Sequence, residues 1–223
     1  MNPDRSIARA LAKQYFEQNN PLGWFEALYL RAREGTAVVP WADMAPNPHL
    51  VEWLKTTGLP FQGKRALKIG CGLGDDAEEL SKHGFAVTGF DISPTAIEWC
   101  KKRFPQSQVQ YAAADLFQPP ASWHHSFDFV LESYTLQVLP ASLRKEAMCY
   151  IAEFVAPSGT LLVICRGRER DGDTGQMPWP VTKDELKGFL KLGLRLINFE
   201  DYMDDENPPV RRFRAEYRAA EKP

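Results

Sequence analysis

The sequence has no apolar run long enough to cross a bilayer; its longest, such as Thr160 to Cys165, are strand-sized. The opening Met1-Asn2-Pro3-Asp4-Arg5-Ser6 lacks the apolar core of a signal peptide. Neither sign of charge is in excess: 27 Lys and Arg face 29 Asp and Glu, a formal net charge of -2. No global basic field exists to gather nucleic acid, and only local patches remain open. The four cysteines, Cys71, Cys100, Cys149 and Cys165, form no CxxC pair. That argues against a disulfide frame or a zinc site and suits reduced thiols in the cytoplasm. His124-His125 has no metal-ligand spacing. No metal is expected. There is no internal repeat and no low-complexity stretch. The 223 residues are enough for one sizeable domain and not clearly for two.

What is present is an alternation of strands and helices. Ile7, Ala10, Leu11, Gln14 and Tyr15 predict a first helix, and Trp24, Phe25, Leu28 and Tyr29 place an apolar stripe on a second. Three prolines between Val38 and Pro48 stop helix and predict an ordered loop, before a short helix from His49 to Lys55. From Arg65 the predicted order is strand Arg65–Ile69, helix Asp75–Lys82 with Gly84 as its left-handed cap, and strand Ala86–Phe90. A helix capped by Ser93, with Pro94 at its first position, leads to strand Gln108–Ala112. Strand Phe127–Leu131, a helix from about Ser142 to Val155, a turn at Pro157-Ser158-Gly159 and strand Thr160–Ile164 follow. Thr182 and Glu185 make a capping box for a helix ending near Lys191. Segments Arg195–Tyr202 and Val210–Tyr217 are short-linked strands, so they pair antiparallel. The reading is α/β: a mainly parallel sheet with helices on both faces and a C-terminal hairpin.

In such a sheet ligands bind at the carboxyl ends of the strands. Gly70-Cys71-Gly72-Leu73-Gly74 forms a turn there, and Asp91 ends the next strand. A glycine turn lets backbone approach a ligand closely, and the later carboxylate suits ribose hydroxyls. Asp75, Asp91, Asp115 and Glu132 are predicted to gather at successive strand ends. Each alone is also explained as a helix cap or a surface acid. Asp115 suits an exocyclic amine of adenine, and Ile92 and Leu116 are placed to sandwich the base. The spacing is GxGxG rather than GxGxxG, which disfavours a dinucleotide-dependent oxidoreductase.

The glycine turn, Asp91, Ala113-Ala114-Asp115-Leu116 and Phe127-Asp128-Phe129-Val130-Leu131-Glu132 together resemble class I S-adenosylmethionine-dependent methyltransferases, over about Gly63 to Tyr217. The resemblance implies a Rossmann-like seven-stranded sheet in the order 3-2-1-4-5-7-6, with strand seven antiparallel. It implies S-adenosyl-L-methionine as cofactor and S-adenosyl-L-homocysteine as product. Gly70, Cys71, Gly72 and Gly74 would pass the methionine part, Asp91 would bind ribose, and Asp115 and Leu116 would flank adenine. Glu132 and Ser133 would lie near the methionine end. Residues 63–223 are expected to form the cofactor-binding core and residues 1–62 an N-terminal helical lid, within a single methyltransferase domain.

Trp41, followed by Pro46-Asn47-Pro48-His49-Leu50, resembles the lid of the thiopurine, thiol and halide methyltransferase superfamily. This places Trp41 over both cofactor and acceptor and implies a small-molecule nucleophile, such as a thiol or other chalcogen. The arginine that thiopurine enzymes carry after strand four is missing; Ser133-Tyr134 stands there. Glu132-Ser133-Tyr134-Thr135 also differs from the Asn/Asp-Pro-Pro-aromatic tetrad of nucleic-acid amine methyltransferases. No nucleic-acid or membrane partner is expected, and a monomer is. Trp41, Tyr134, Trp179 and Tyr202 are candidate walls of the acceptor pocket, against the ordinary reading of each as core. Glu132, Tyr134 and Arg166 are candidates to position the acceptor, with His49 as a further possible base. Arg166, Arg168, Arg211 and Arg212 are placed to hold an anionic acceptor or, equally, to pair with Asp201, Asp204, Asp205 and Glu206. Lys68 is out of pattern, since relatives often carry an acid there. It is either turned aside and paired with a carboxylate, or it weakens the cofactor site. Methylation of a small oxygen or nitrogen acceptor and a non-catalytic nucleoside-binding protein are the competing functions.

Overall fold

A computed structural model describes residues 5–221. Met1 to Asp4, most of the segment assessed above for a signal peptide, lie outside the described residues. Helices α1 (Ser6–Glu17), α2 (Gly23–Arg33) and α3 (Pro48–Thr56) precede strand β1 (Arg65–Ile69). Then come α4 (Asp75–Lys82), β2 (Ala86–Asp91), α5 (Pro94–Arg103), β3 (Gln110–Ala113), β4 (Phe127–Ser133), α6 (Ala141–Phe154) and β5 (Val155–Arg168). The chain closes with β6 (Val181–Thr182), α7 (Lys183–Leu186), α8 (Gly188–Lys191), β7 (Leu194–Met203) and β8 (Arg211–Ala219).

The sheet runs β3-β2-β1-β4-β5-β8-β7. β1 to β5 pair in parallel, and β8 lies antiparallel to both β5 and β7. The seven-stranded expectation holds for this path. One correction is an eighth strand, the two-residue β6, which pairs with the end of β5 through Gly167 and Arg168. A second concerns β5, which starts well before Thr160. Its register against β4 shifts between Phe127 and Phe129, so Pro157-Ser158-Gly159 is absorbed as a bulge rather than ending an element. Ser158 takes a φ of 60° there.

Local signals account for the helix boundaries. Ser93 Oγ accepts from the Ala96 amide at 3.0 Å, with Pro94 at the first helical position. Asn47 does the same for α3, accepting from the His49 amide at 2.9 Å. The Thr182–Glu185 capping box forms as expected, yet the segment to Lys191 splits into two short helices at Lys187–Gly188.

The central strands β1, β4 and β5 are largely buried on both faces, as a parallel sheet covered by helices requires, while the edge strand β7 is mostly exposed. Alternation sorts their side chains. Leu67, Ile69, Val130, Leu161 and Val163 pack with Ala147 and Ile151 of α6. Ala66, Phe129, Leu131, Leu162 and Ile164 pack with Leu50 and Trp53 of α3, Leu80 of α4 and Ile97 of α5. Trp53 and Phe85 stack on Phe129 at 5.1 and 5.2 Å. Among the described residues, no helix is long and apolar enough to cross a membrane.

Candidate active site

The carboxyl ends of β1, β2 and β4 open into a cavity of about 1150 Å³. That exceeds what a single small ligand needs and fits a nucleoside cofactor with an acceptor beside it. Gly70, Cys71 and Gly72 of the glycine turn line its floor, whereas Gly74, expected beside the cofactor, does not line it. Gly70 and Gly74 have φ of 54° and 93°, conformations that side chains disfavour. A Cβ at Gly70 would sit 2.7 Å from Thr135 Oγ1, and one at Gly74 would sit 2.5 Å from the Tyr111 hydroxyl. Glycine is therefore required twice, for conformation and for room. The Cys71 amide donates to Phe90 O at 2.8 Å, which ties the turn to β2.

Asp91 organises this end. Its carboxylate accepts from the Gly72 amide at 2.9 Å and the Ser93 amide at 3.0 Å. Each carboxylate oxygen has a second acceptor site, so the group still has capacity for ribose hydroxyls. Burial pushes its pKa up to about 6, against the pull of those amides and of Lys68. Asp115 lines the same end, with one oxygen accepting from the Phe117 amide at 2.8 Å. Ile92 and Leu116 line it beside Asp115.

Lys68 takes the first of its two expected arrangements. It is 3% exposed. Its Nζ donates to Ile69 O at 2.8 Å and Gly70 O at 3.3 Å, and lies 3.7 Å from Asp76 Oδ2. The ammonium thus fastens the start of the glycine turn and meets its counter-ion on α4. Asp76 also accepts from the Asn47 amide at 2.8 Å, linking the N-terminal segment to this pair.

The N-terminal segment lies directly on the turn. Trp41 donates from Nε1 to the Tyr29 hydroxyl at 2.9 Å, and a Cβ on Gly72 would meet Trp41 Cδ1 at 3.7 Å. Trp24, Phe25 and Tyr29 hold Trp41 through edge contacts. A polar latch fixes α2 to α5. Glu26 accepts from Ser93 Oγ at 2.5 Å, Thr95 Oγ1 at 2.7 Å and the Thr95 amide at 3.2 Å.

The acceptor end is walled by Ser133, Tyr134, Gln137, Arg166, Tyr202 and Arg212. Ser133 Oγ accepts from Asn47 Nδ2 at 3.1 Å. Tyr134 has a φ of 66° and packs against the Arg212 guanidinium, 4.8 Å from its ring centre. Such a conformation costs free energy in a bulky residue, and it aims the side chain at the end of β4. Burial pushes the Tyr134 and Tyr202 hydroxyls up to about 12, so both stay protonated. His49 also faces the cavity, its ring 5.4 Å from that of Tyr202. Burial, then the Arg212 charge, lowers its pKa, so the imidazole is neutral at neutral pH.

Four expectations need correcting. Glu132 does not face the cavity. It alternates onto the α6 side of β4, fully buried, where Oε1 accepts from the Thr135 and Leu136 amides at 2.7 and 2.9 Å. Burial pushes it up to about 7. Asp75 does line the cavity as expected, but Arg103 donates to both its oxygens at 2.7 and 2.8 Å. Of the four acids, Asp91 and Asp115 are therefore the two left to serve a ligand. Trp179 lies outside the cavity, stacked on Phe16 at 6.0 Å, while its neighbours Met177 and Pro178 line it. Arg168 and Arg211 are also outside. Arg168 is bound by the carbonyls of Pro180, Glu169, Arg170 and Gly172, and Arg211 by Asp201 and Glu169. Sequence reasoning missed Arg5, Tyr29, Asn47 and Gln137 as cavity residues. Only Asn47 carried a signal, as an N-cap before Pro48.

Comparison with known proteins agrees with this geometry. Residues 66–159 match the family described as "Methyltransferase domain". A probable thiol methyltransferase 2 of Arabidopsis thaliana is 25% identical over 201 residues, spanning 87% of this chain and 83% of that protein. A ubiquinone biosynthesis O-methyltransferase of Coxiella burnetii is 30% identical over 117 residues, 52% of this chain and 48% of that one. The chain thus matches about half the length of that relative. Among solved structures, the N-methyltransferase NodS of Bradyrhizobium japonicum, in complex with S-adenosyl-L-homocysteine, superposes with a TM-score of 0.67. It is 20% identical, and the match covers 88% of this chain and all of that one. Residues 66–159 thus match a methyltransferase domain, and the fold is the one seen in S-adenosylmethionine-dependent methyltransferases.

Proposed function

We propose that the protein methylates a small nucleophile, a thiol or other chalcogen, from S-adenosylmethionine. The observation that carries this reading is one continuous cavity, with a nucleoside cradle at one end and a wall that includes Tyr134 and Tyr202 at the other. The cradle fits the cofactor: Gly70, Cys71 and Gly72 present backbone to the cavity, and Asp91 and Asp115 offer unused acceptor sites. When bound, the cofactor supplies an activated methyl carbon. The chain supplies alignment and exclusion of water, which contribute on the order of 7–11 kcal/mol. Trp41 over the turn, with Tyr134 and Tyr202 on the far wall, does both. The boundary between a lid at 1–62 and a core at 63–223 belongs to the same proposal, supported by the seat of Trp41 on Gly72.

The nature of the wall favours a soft acceptor. Tyr134 and Tyr202 keep their protons, and the low pKa of His49 makes it a weak base. An alcohol needs a strong base, whereas a thiol ionises near pH 8.5. The Arabidopsis relative is named for a thiol acceptor. Neutral His49 favours one second reading, base-assisted transfer to a small oxygen or nitrogen acceptor. The test is S-adenosylhomocysteine formation from a panel of thiols, hydrosulfide, selenite, phenols and amines. Turnover confined to phenols or amines would replace the first reading with the second.

A further inference from the structure

The four arginines near the end of β5 do not share one fate. Arg168 and Arg211 are consumed outside the cavity. Arg212 faces it but is neutralised, with Nε 2.6 Å from Asp204 Oδ2 and a second contact to Glu206. Arg166 differs from all three. It lines the cavity, its backbone amide donates to Gln137 Oε1 at 2.7 Å, and its guanidinium has no hydrogen bond or ion pair among the described residues. Arg166 also stands directly across the ladder from Arg212. Like charges opposite each other on a sheet are destabilising. Burial and the charges of Arg212 and Arg5 all press against its proton.

Arg5 reaches the same wall from the N-terminal segment, likewise without an ion pair within 4 Å among the described residues. Its nearest acids, Asp43 and Glu206, are exposed, and Glu206 already serves Arg212. Asp205 lines the cavity too but is exposed, while three other acids are committed. Asp75 pairs with Arg103, Asp76 with Lys68, and Glu52 with Arg214. Asp91 and Asp115 sit at the nucleoside end. Among the described residues, the acceptor end is therefore left with two guanidinium forks and no counter-ion within bonding distance of either. A guanidinium fork matches a carboxylate through two parallel hydrogen bonds.

We propose that Arg166, supported by Arg5, selects methyl acceptors that carry an anionic group, such as a carboxylate, beside the nucleophilic atom. This rests on the methyl-transfer reading above and deepens it. No bond to Arg166 forms or breaks; it positions the acceptor.

The test pairs acceptors that differ only in charge. 3-Mercaptopropionate is compared with 3-mercaptopropanol, 4-hydroxybenzoate with 4-hydroxybenzyl alcohol, and 4-aminobenzoate with 4-aminobenzyl alcohol. S-adenosylhomocysteine formation is followed in the intact chain and in Arg166→Gln and Arg166→Lys. The expected result is at least a tenfold higher kcat/KM for the carboxylate member of the pair that reacts. Arg166→Gln should lower kcat/KM for the carboxylate member at least tenfold more than for the neutral member, with the calorimetric Kd for S-adenosylmethionine unchanged, and Arg166→Lys should restore part of the preference. Equal use of both members by the unaltered protein overturns the proposal. So does an equal loss on both in Arg166→Gln, or a weakened cofactor Kd, which would assign Arg166 to the cofactor. A preference in the phenol or amine pair alone supports charge selection while removing the thiol reading. If no pair reacts, methyl transfer to these acceptors fails, and 4-hydroxybenzoate is titrated into the S-adenosylhomocysteine-loaded protein. Binding lost in Arg166→Gln then supports the charge selection, and no binding overturns it.

Discussion

Replacing Lys68 with methionine tests the electrostatic frame of the site. The substitution keeps most of the volume and removes the charge and three donors. Lys68 is almost wholly buried, and its ammonium serves two carbonyls, at 2.8 and 3.3 Å, and Asp76 at 3.7 Å. Removing one partner of a buried pair costs about 3–5 kcal/mol, because the other charge is left uncompensated. Asp76 is relieved in part, since it keeps the Asn47 amide and its side chain is 13% exposed. The expected loss is thus at the lower end, about 3 kcal/mol. In a chain of this size it corresponds to a fall in Tm of roughly 6–12 °C. Urea unfolding at pH 7.5 measures it, with Asp76→Asn and the double variant completing a cycle. The double variant should lose less than the two single losses added, because each removes a charge whose partner is already gone. Lys68→Asp should be worse than Lys68→Met, since it sets a carboxylate against Asp76. A loss below about 0.5 kcal/mol for Lys68→Met, or additive losses in the cycle, would refute a buried ion pair as the reason for this lysine.

Stability should also depend on pH through Glu132. Its pKa rises from 4.5 in a free chain to about 7 when folded, so the folded state holds the proton more tightly. The stabilisation is complete below about pH 4.5 and disappears as pH rises through about 7, on the order of 3 kcal/mol. Asp91 adds to the same slope up to about pH 6. Glu132→Gln should flatten a plot of urea stability against pH between 5 and 8; an unchanged slope would remove Glu132 as its source. Asp91→Ala frees the Gly72 and Ser93 amides and removes the expected ribose acceptor. It should weaken S-adenosylmethionine by about thirtyfold in a calorimetric titration, equivalent to about 2 kcal/mol. Gly74→Ala should lower Tm by several degrees, from about 1–2 kcal/mol of left-handed strain before any displacement of Tyr111. A Tm equal to that of the parent chain would contradict the geometry of the turn.

Features written in neighbouring residues were legible. Ser93-Pro94, Thr182 with Glu185, and the glycine turn fix local backbone, and their consequences appear as expected. So does the C-terminal hairpin, because two strands joined by a short link have one way to pair. Side-chain direction at the strand ends was harder to read. Glu132 follows the chain's own alternation, sharing a face with Val130 rather than Leu131, and so turns away from the ligand. Trp179 sits in a loop, where no periodicity gives a direction. The pairs Arg103–Asp75 and Glu26–Ser93 join residues distant in sequence, and neither carries a local mark. The fate of each arginine was equally hidden, since it depends on which carboxylates the fold delivers to it.

The Glu26 latch has a kinetic consequence. Ser93 Oγ both donates to Glu26 and accepts from the Ala96 amide, so the first turn of α5 is capped through a residue held by α2. Any excursion of α2 from the core breaks the Glu26 bonds, which frees the Thr95 amide and leaves the Ala96 amide on a serine cap no longer held by α2. Their hydrogen-exchange rates are therefore a clock for movement of the N-terminal segment, with no label placed on the segment itself. A ligand that clamps Trp41 onto the glycine turn will slow that clock, even where it touches neither amide.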